Sequence, residues 1–244
     1  MYLEHLVPSA FAILGAPRCF LRRLLHRKLV SFGLLANLAS LKRRQLFTGV
    51  DGIIDVGANI GQFAYMAHSV WPLLPIYSFE PYQESFAQLE QTFKRYGIPG
   101  RCFPLAISDQ GGEREFYAYD NSAINSFLKR FDRTENGAHS IEVRCVTLDE
   151  LEEELVVMKN PMLKIDVQGY ELSVLRGATH LLKRCKYVQI EASFQHEYEG
   201  NAHVADVMTI MRDNEFNCFD ILDILRVPKN KGGGIREVDL LFAR

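Results

Sequence analysis

Paired cysteines are missing. The five cysteines, Cys19, Cys102, Cys145, Cys185 and Cys218, are scattered, and none stands in a Cys-x-x-Cys pair. This suggests neither a zinc knuckle nor a disulfide framework, and it suits a reducing compartment, so a cytoplasmic location is expected. No apolar run approaches the roughly 20 residues that a bilayer-spanning helix needs. Internal repeats and low-complexity tracts are absent as well. Acid is missing from one end only: between His5 and Val50 there are eight Lys or Arg and no Asp or Glu. What is present is ordinary for a soluble globular chain, with 48% apolar and 24% charged residues in a length of 244. That length allows one large domain, or one domain with an appendage.

The acid-free stretch reads as an extension over residues 1–48, with the main domain over 49–244. Arg18, Arg22, Arg23, Arg27 and Lys28 form one basic cluster, and Lys42, Arg43 and Arg44 a second. Leu21, Leu24 and Leu25 lie at helical spacing in the first part, as do Leu34, Leu35, Leu38 and Leu41 in the second. A pair of helices is expected, each with an apolar and a basic face. Such a pair either caps the domain or makes peripheral contact with a membrane surface or polyanion. A secretory signal fits poorly, because the positive charges follow the apolar run of residues 6–16 instead of preceding it.

Chemistry concentrates further along. Ile53-Ile54-Asp55-Val56-Gly57-Ala58-Asn59-Ile60-Gly61 reads as a short buried strand running into a glycine turn and a helix, and Phe79-Glu80-Pro81 ends the next strand. Glycine lets backbone approach a ligand closely. In open α/β sheets, ligands bind beyond the carboxyl ends of the strands, where the strand order reverses. Glu80 stands at such an end, and its carboxylate can accept two hydrogen bonds from a ribose diol. The Gly-x-Gly-x-x-Gly of dinucleotide folds is absent. Asp55, two residues before Gly57, would repel a pyrophosphate but suits an ammonium group, which favours S-adenosylmethionine over NAD. A Tyr-x-x-x-Lys pair and an Asn-Pro-Pro-Tyr motif are also absent, which disfavours a short-chain reductase and nucleic-acid methylation; no nucleic-acid partner is expected.

Helix and strand patterns alternate after Gly49, which predicts a mainly parallel sheet. Strands are expected at residues 53–55, 76–79, 101–108, 162–166 and 187–191. Helices are expected at 62–70, 83–96, from Gly169 on to Leu182, and at 204–214. Residues 113–119 and 141–146 alternate like exposed strands and read as a β-rich insertion. Thr147 and Glu150 have capping-box spacing. Residues 216–221 and 235–243 read as a closing hairpin.

Taken in order, these motifs make the chain resemble the FkbM family of S-adenosylmethionine-dependent methyltransferases. The matching pieces are residues 54–61, Phe79-Glu80-Pro81, Ala106-Ile107-Ser108-Asp109, Thr147-Leu148-Asp149-Glu150-Leu151, Lys164-Ile165-Asp166-Val167-Gln168-Gly169-Tyr170-Glu171, Ile190-Glu191 and residues 238–242. The resemblance implies an α/β, Rossmann-like methyltransferase fold, with a seven-stranded mainly parallel sheet whose last strand is antiparallel. It implies methyl transfer to a hydroxyl of a sugar, glycan or natural product. It places the cofactor over Asp55, Gly57, Ala58, Asn59 and Gly61, its ribose at Glu80 beside Pro81, and its adenine near Ser108 and Asp109. Many members carry Glu where this chain has Gln168, which weakens any role for that position.

A hydroxyl acceptor has to lose a proton, so a base or a metal ion is useful. Asp166 ends a central strand where cofactor and acceptor would meet, as base, ligand or positioning group. Lys164 lies on the same side of that strand and can pair with it. Glu191 ends the fifth parallel strand, and His196 follows in the next loop. The Asp166, Glu191 and His196 set is compatible with base catalysis or a divalent ion, but no metal-ligand spacing is visible. Glu171 sits in a first helical turn, where a structural role is expected. Asn121, Ser122, Asn125 and Ser126 form a polar loop that could cover the acceptor, and Tyr117, Tyr119 and Phe127 could stack on it. The competing reading is a methyltransferase-fold scaffold without catalysis.

Overall fold

The computed structural model describes residue 29 and residues 31–131, 139–228, 230 and 232–244. In chain order, α1 (Phe32–Arg43), β1 (Ile53–Val56), α2 (Gln62–Val70), β2 (Ile76–Phe79), α3 (Gln83–Tyr96) and β3 (Gly100–Phe103) come first. β4 (Ala106–Ile107), β5 (Gly112–Ala118) and β6 (His139–Val146) form a separate small sheet. The second half holds α4 (Glu152–Leu155), β7 (Met162–Ile165), α5 (Glu171–Arg176), α6 (Thr179–Arg184), β8 (Tyr187–Ser193), α7 (Val204–Asp213), β9 (Asn217–Arg226) and β10 (Ile235–Ala243).

The large sheet has the order β3-β2-β1-β7-β8-β10-β9. β3 through β8 in that order run parallel, and β10 is antiparallel to both its neighbours. This is the mainly parallel, seven-stranded sheet with a reversed last strand that the family resemblance implied. From β1 the chain steps outward through β2 and β3, then returns on the other side of β1 as β7. That reversal opens a crevice at the carboxyl ends of β1 and β7, where Asp166 N–H donates to Val56 O at 3.2 Å.

β1 and β7 are buried along their whole length. One sheet face packs on Leu155, Leu175, Leu182, Val207 and Met211, and the other on Leu35, Leu38, Leu41, Met66 and Leu89. α1 is therefore a cap sharing the core of α2 and α3. The first helix expected in the extension, with Leu21, Leu24 and Leu25, lies outside the described residues. In the second basic cluster, Lys42 donates to Val70 O and Arg44 pairs with Asp220. Leu38 is fully buried, so Leu38→Ala is expected to cost about 2–5 kcal/mol in urea denaturation. A loss under about 0.5 kcal/mol, the range of ordinary surface substitutions, would show that α1 is not part of the cooperative core.

Two expected elements are broken. The strand expected over 101–108 ends at Phe103, because Pro104 has no N–H for the ladder, and Ala106–Ile107 pairs instead with β6. The helix expected to reach Leu182 splits at Gly177, where a Cβ would sit 2.0 Å from Ser108 O. α6 starts afresh because Asp149 accepts from Thr179 Oγ1 and the His180 and Leu181 amides at 2.9–3.0 Å. The Thr147–Glu150 capping box is formed in both directions (2.7 and 3.0 Å), but it opens a 3-10 turn before the single turn of α4.

Candidate active site

A cavity of about 610 Å³ runs along the carboxyl ends of β2, β1, β7 and β8 and the amino end of β10. From Glu80 to Asp239 it crosses four inter-strand spacings, roughly 19 Å.

Gly57 sets the geometry of the first end. Its φ is +75°, and a Cβ there would lie 1.8 Å from Asp166 O. Only glycine lets the loop approach β7 this closely. The Gly57 and Ala58 amides donate to Phe79 O at 3.1 and 3.0 Å. The Asn59 amide donates to Glu80 Oε2 at 2.8 Å and the Tyr82 amide to Glu80 Oε1 at 2.9 Å. Glu80 is thus clamped from both sides at 6% exposure, and each of its oxygens keeps a further acceptor site. Burial pushes its carboxyl up to about 7, against the two amides and Lys164. Glu80, Pro81, Gly57, Ala58 and Asn59 all line the cavity. Gly61 does not: it begins α2 with φ +88° and packs against Leu89 and Thr92.

Asp55 is placed differently from expectation. It is fully buried beneath the loop, and the cation it meets is Lys164, at 3.1 Å. Ser78 Oγ donates to it at 3.2 Å. The register explains this, since Asp55 lies beside Lys164 on β7 and beside Ser78 on β2. Lys164 also donates to Gly57 O at 3.0 Å and lies 3.6 Å from Asp166. Burial would lower its pKa, but Asp55 and Asp166 outweigh that and hold it raised.

Asp166 and Glu191 come together in the middle of the cavity, joined by Gln168. Gln168 Nε2 donates to Asp166 Oδ1 at 3.1 Å and to Glu191 Oε2 at 2.7 Å. The backbone of Gln168 is left-handed, at φ +54°. Its Oε1 faces the Tyr198 hydroxyl at 3.1 Å, and that hydroxyl also reaches Ile124 O at 3.2 Å. Burial, then Asp166, Glu237 and Asp239, push the Glu191 carboxyl well above the ordinary carboxylate range. Sequence reasoning discounted Gln168 for lacking a carboxylate; its place between Asp166 and Glu171 was the signal. His196 is not brought to this pair. It is exposed, with its ring 6.0 Å from that of His203. Among the described residues, no group of three or more His, Cys, Asp or Glu could hold a metal ion.

The insertion forms the roof. Ser122 Oγ donates to Asn59 Oδ1 at 3.0 Å, and Ser126 Oγ to Gln168 O at 2.8 Å. Asn125 is held by the Tyr119 amide on its Oδ1 at 2.8 Å, while its buried Nδ2 has no partner. Phe127 lines the cavity. Tyr117 and Tyr119 turn elsewhere, toward Glu115 (2.6 Å) and the Arg130 amide (3.2 Å). Ala106 and Ile107 line the cavity, but Ser108 and Asp109 lie behind them. Ser108 Oγ meets Asp109 at 3.0 Å and the Tyr170 hydroxyl at 3.1 Å. Burial alone would raise the Asp109 carboxyl, but Ser108 and Arg114 hold it lowered. Glu171 accepts from the Val167 and Gly169 amides (3.3 and 2.9 Å), which pins the loop, and burial raises it to about 7.

Glu80, Glu171 and Asp239 share a raised folded pKa of about 7. Between about 4.5 and 7 the folded chain therefore binds more protons than the unfolded one, and these groups make stability fall as pH rises. The melting temperature of the ligand-free protein is expected to be higher in mildly acidic than in mildly alkaline buffer. The reverse order would contradict the burial of these carboxyls.

Comparison with known proteins gives the family and the fold. A model of the methyltransferase FkbM domain matches residues 55–218. The chain is 27% identical over 192 residues to the 31-O-demethyl-FK506 methyltransferase FkbM of Streptomyces tacrolimicus, covering 68% of this chain and 72% of that protein. It is 31% identical over 149 residues to the hexuronic acid methyltransferase AglP of Haloferax volcanii, covering 58% of this chain and 55% of that protein. In fold it is similar to the magnesium protoporphyrin IX methyltransferase of Synechocystis solved with bound S-adenosylmethionine, with a TM-score of 0.51, 13% identity, and 99% and 96% of the two chains covered.

Proposed function

This chain belongs to the FkbM family of S-adenosylmethionine-dependent methyltransferases, and we propose that its acceptor is a hydroxyl oxygen of a sugar, glycan or natural product. The observation that carries this reading is the continuous cavity with Glu80 at one end and the Asp166–Gln168–Glu191 group in its middle. The Glu80 end fits the cofactor. It offers a clamped carboxylate with two open acceptor sites for ribose hydroxyls, apolar walls at Pro81, Ala106, Ile107 and Phe116 for a planar base, and a turn without a Cβ at Gly57. When bound, S-adenosylmethionine would supply an activated methyl group for the acceptor oxygen, with S-adenosylhomocysteine as the leaving group.

The chain's own residues do the rest. Glu191 takes the hydroxyl proton, and its raised pKa makes it a stronger base than an ordinary carboxylate. Gln168 fixes both carboxylates, and Lys164 positions Asp166 and the Gly57 carbonyl. The roof residues Ser122 to Phe127 exclude water and align the acceptor, which lowers the barrier by removing the search for geometry. Asp55, Gly61, Ser108 and Asp109 act from behind the cavity wall.

Two hydrogen bonds to a buried charged group are at stake at Glu80. Glu80→Ala is expected to weaken S-adenosylhomocysteine binding about 10- to 100-fold, and Glu80→Gln less. Unchanged affinity in both variants would sink the ribose placement. Transfer itself is tested by offering isotope-labelled S-adenosylmethionine and a panel of sugar and polyketide alcohols, and reading the label by mass spectrometry. Label on oxygen supports the reading. Tight cofactor binding with label on nitrogen or carbon, or on no acceptor, contradicts it.

A further inference from the structure

The half of the cavity beyond Asp166 is built almost wholly of acceptors. Asp166, Glu191, Glu237, Asp239 and Asp223 line it, and so do the cations Lys164 and Arg236. Both cations are engaged. Lys164 meets Asp55 at 3.1 Å and Asp166 at 3.6 Å. Arg236 Nε meets Glu197 at 2.7 Å and Glu237 at 3.4 Å. The register sets this up: Asp239 on β10 lies beside Glu191 on β8 and Asp223 on β9, on one face of the sheet.

Gln189 supplies an independent sign of a missing ligand. It lies on the same face of β8 as Glu191, two residues earlier. It lines the cavity at 3% exposure, and its Oε1 has no hydrogen-bond partner. A buried amide oxygen left this way calls for a donor. Asp239 and Glu237 are raised, first by burial and in part by neighbouring carboxylates, as Glu191 is. The five acids of the floor outnumber its two cations, and both cations are already ion-paired. The roof adds one free donor, Asn125 Nδ2, for an oxygen of the ligand.

We propose that this lobe selects a hydroxyl acceptor carrying a protonated amine, an amino sugar or amino polyol, and rejects acceptors carrying a carboxylate or phosphate. The proposal rests on the reading above that the cofactor lies at the Glu80 end and the acceptor hydroxyl at Glu191, which puts the rest of the acceptor in this lobe. An ammonium brings three donors and a positive charge to a floor in which acids exceed cations. A carboxylate would stand against carboxylates, and like charges at an interface oppose binding strongly. The cofactor's own ammonium does not meet this need. Asp239 and Asp223 lie two and three strands beyond Asp166, roughly 10 and 14 Å away.

The test uses the full chain saturated with S-adenosylhomocysteine and three matched hexoses, glucosamine, glucose and glucuronate, titrated by NMR. Glucosamine is expected to bind at least about tenfold tighter than glucose, with glucuronate weakest. The Glu237→Gln/Asp239→Asn double variant is expected to erase that order while keeping its S-adenosylhomocysteine affinity, which also shows that it folds. Glucuronate binding as well as glucosamine, no binding of glucosamine, or an unchanged order in the double variant would overturn the proposal. Loss of S-adenosylhomocysteine binding by the wild-type chain would instead overturn the cofactor placement on which it rests.

Discussion

Glu191→Gln is expected to lower kcat about 100- to 10,000-fold, the usual contribution of a positioned general base. Gln keeps the shape of Glu and can still meet Gln168, so S-adenosylhomocysteine affinity is expected to stay within about twofold, well under the tenfold that 1.4 kcal/mol gives. Three facts support the choice of Glu191. It lies in the middle of the cavity, it is held by Gln168 Nε2 at 2.7 Å, and burial with four neighbouring acids raises its pKa. A raised folded pKa also fixes the sign of the pH profile. The base works only when ionised, so kcat/KM should rise with pH through a value above the ordinary carboxylate range, and the Gln variant should lose that limb. Rates measured on the hydroxyl acceptor from the labelled panel check both points. An unchanged kcat in Glu191→Gln, with the loss appearing in Asp166→Asn, would move the base to Asp166.

The second large effect concerns stability. Lys164→Met is expected to destabilise the fold by about 3–5 kcal/mol, because it leaves Asp55 buried without its cation. Asp55 has no exposure and Lys164 is 5% exposed. Water therefore cannot replace the lost partner. Adding Asp55→Leu to Lys164→Met should recover most of the loss, since replacing both members of a buried pair by apolar groups is close to neutral. Urea denaturation of the two single variants and the double variant measures this. A single-variant loss under about 1 kcal/mol, the worth of an exposed pair, would mean that the ion pair is not buried.

The alternation of apolar strands and amphipathic helices made the mainly parallel sheet legible, because burial on both faces of β1 and β7 leaves an apolar signal broken only by Asp55 and Lys164, whereas the reversed last strand was implied by the family resemblance. The strand expected over 101–108 and the helix expected to reach Leu182 ran through Pro104 and Gly177, because where the chain stops and resumes depends on partners distant in sequence: β6 for Ala106 and Ile107, and Asp149 for α6. The same limit applied at the site. Glu80 stood out because a carboxylate at a strand end has a local reason to be there. Asp55 was misplaced because its cation lies 109 residues away on β7, and strand register cannot be read from spacing. Gln189 was missed and Gln168 discounted because a polar amide has no signature until its surroundings are known. His196 was included by proximity in sequence, and the loop after β8 carries it away from the cavity.

The most direct test of the two-ended cavity is a crystal structure of the chain with S-adenosylhomocysteine. Ribose hydroxyls within hydrogen-bonding distance of Glu80, with the sulfur toward Asp166 and the Glu191–Asp239 lobe left open, are the expected result. S-adenosylhomocysteine lying in the Glu191–Asp239 lobe, or away from Glu80, would contradict the assignment of both ends.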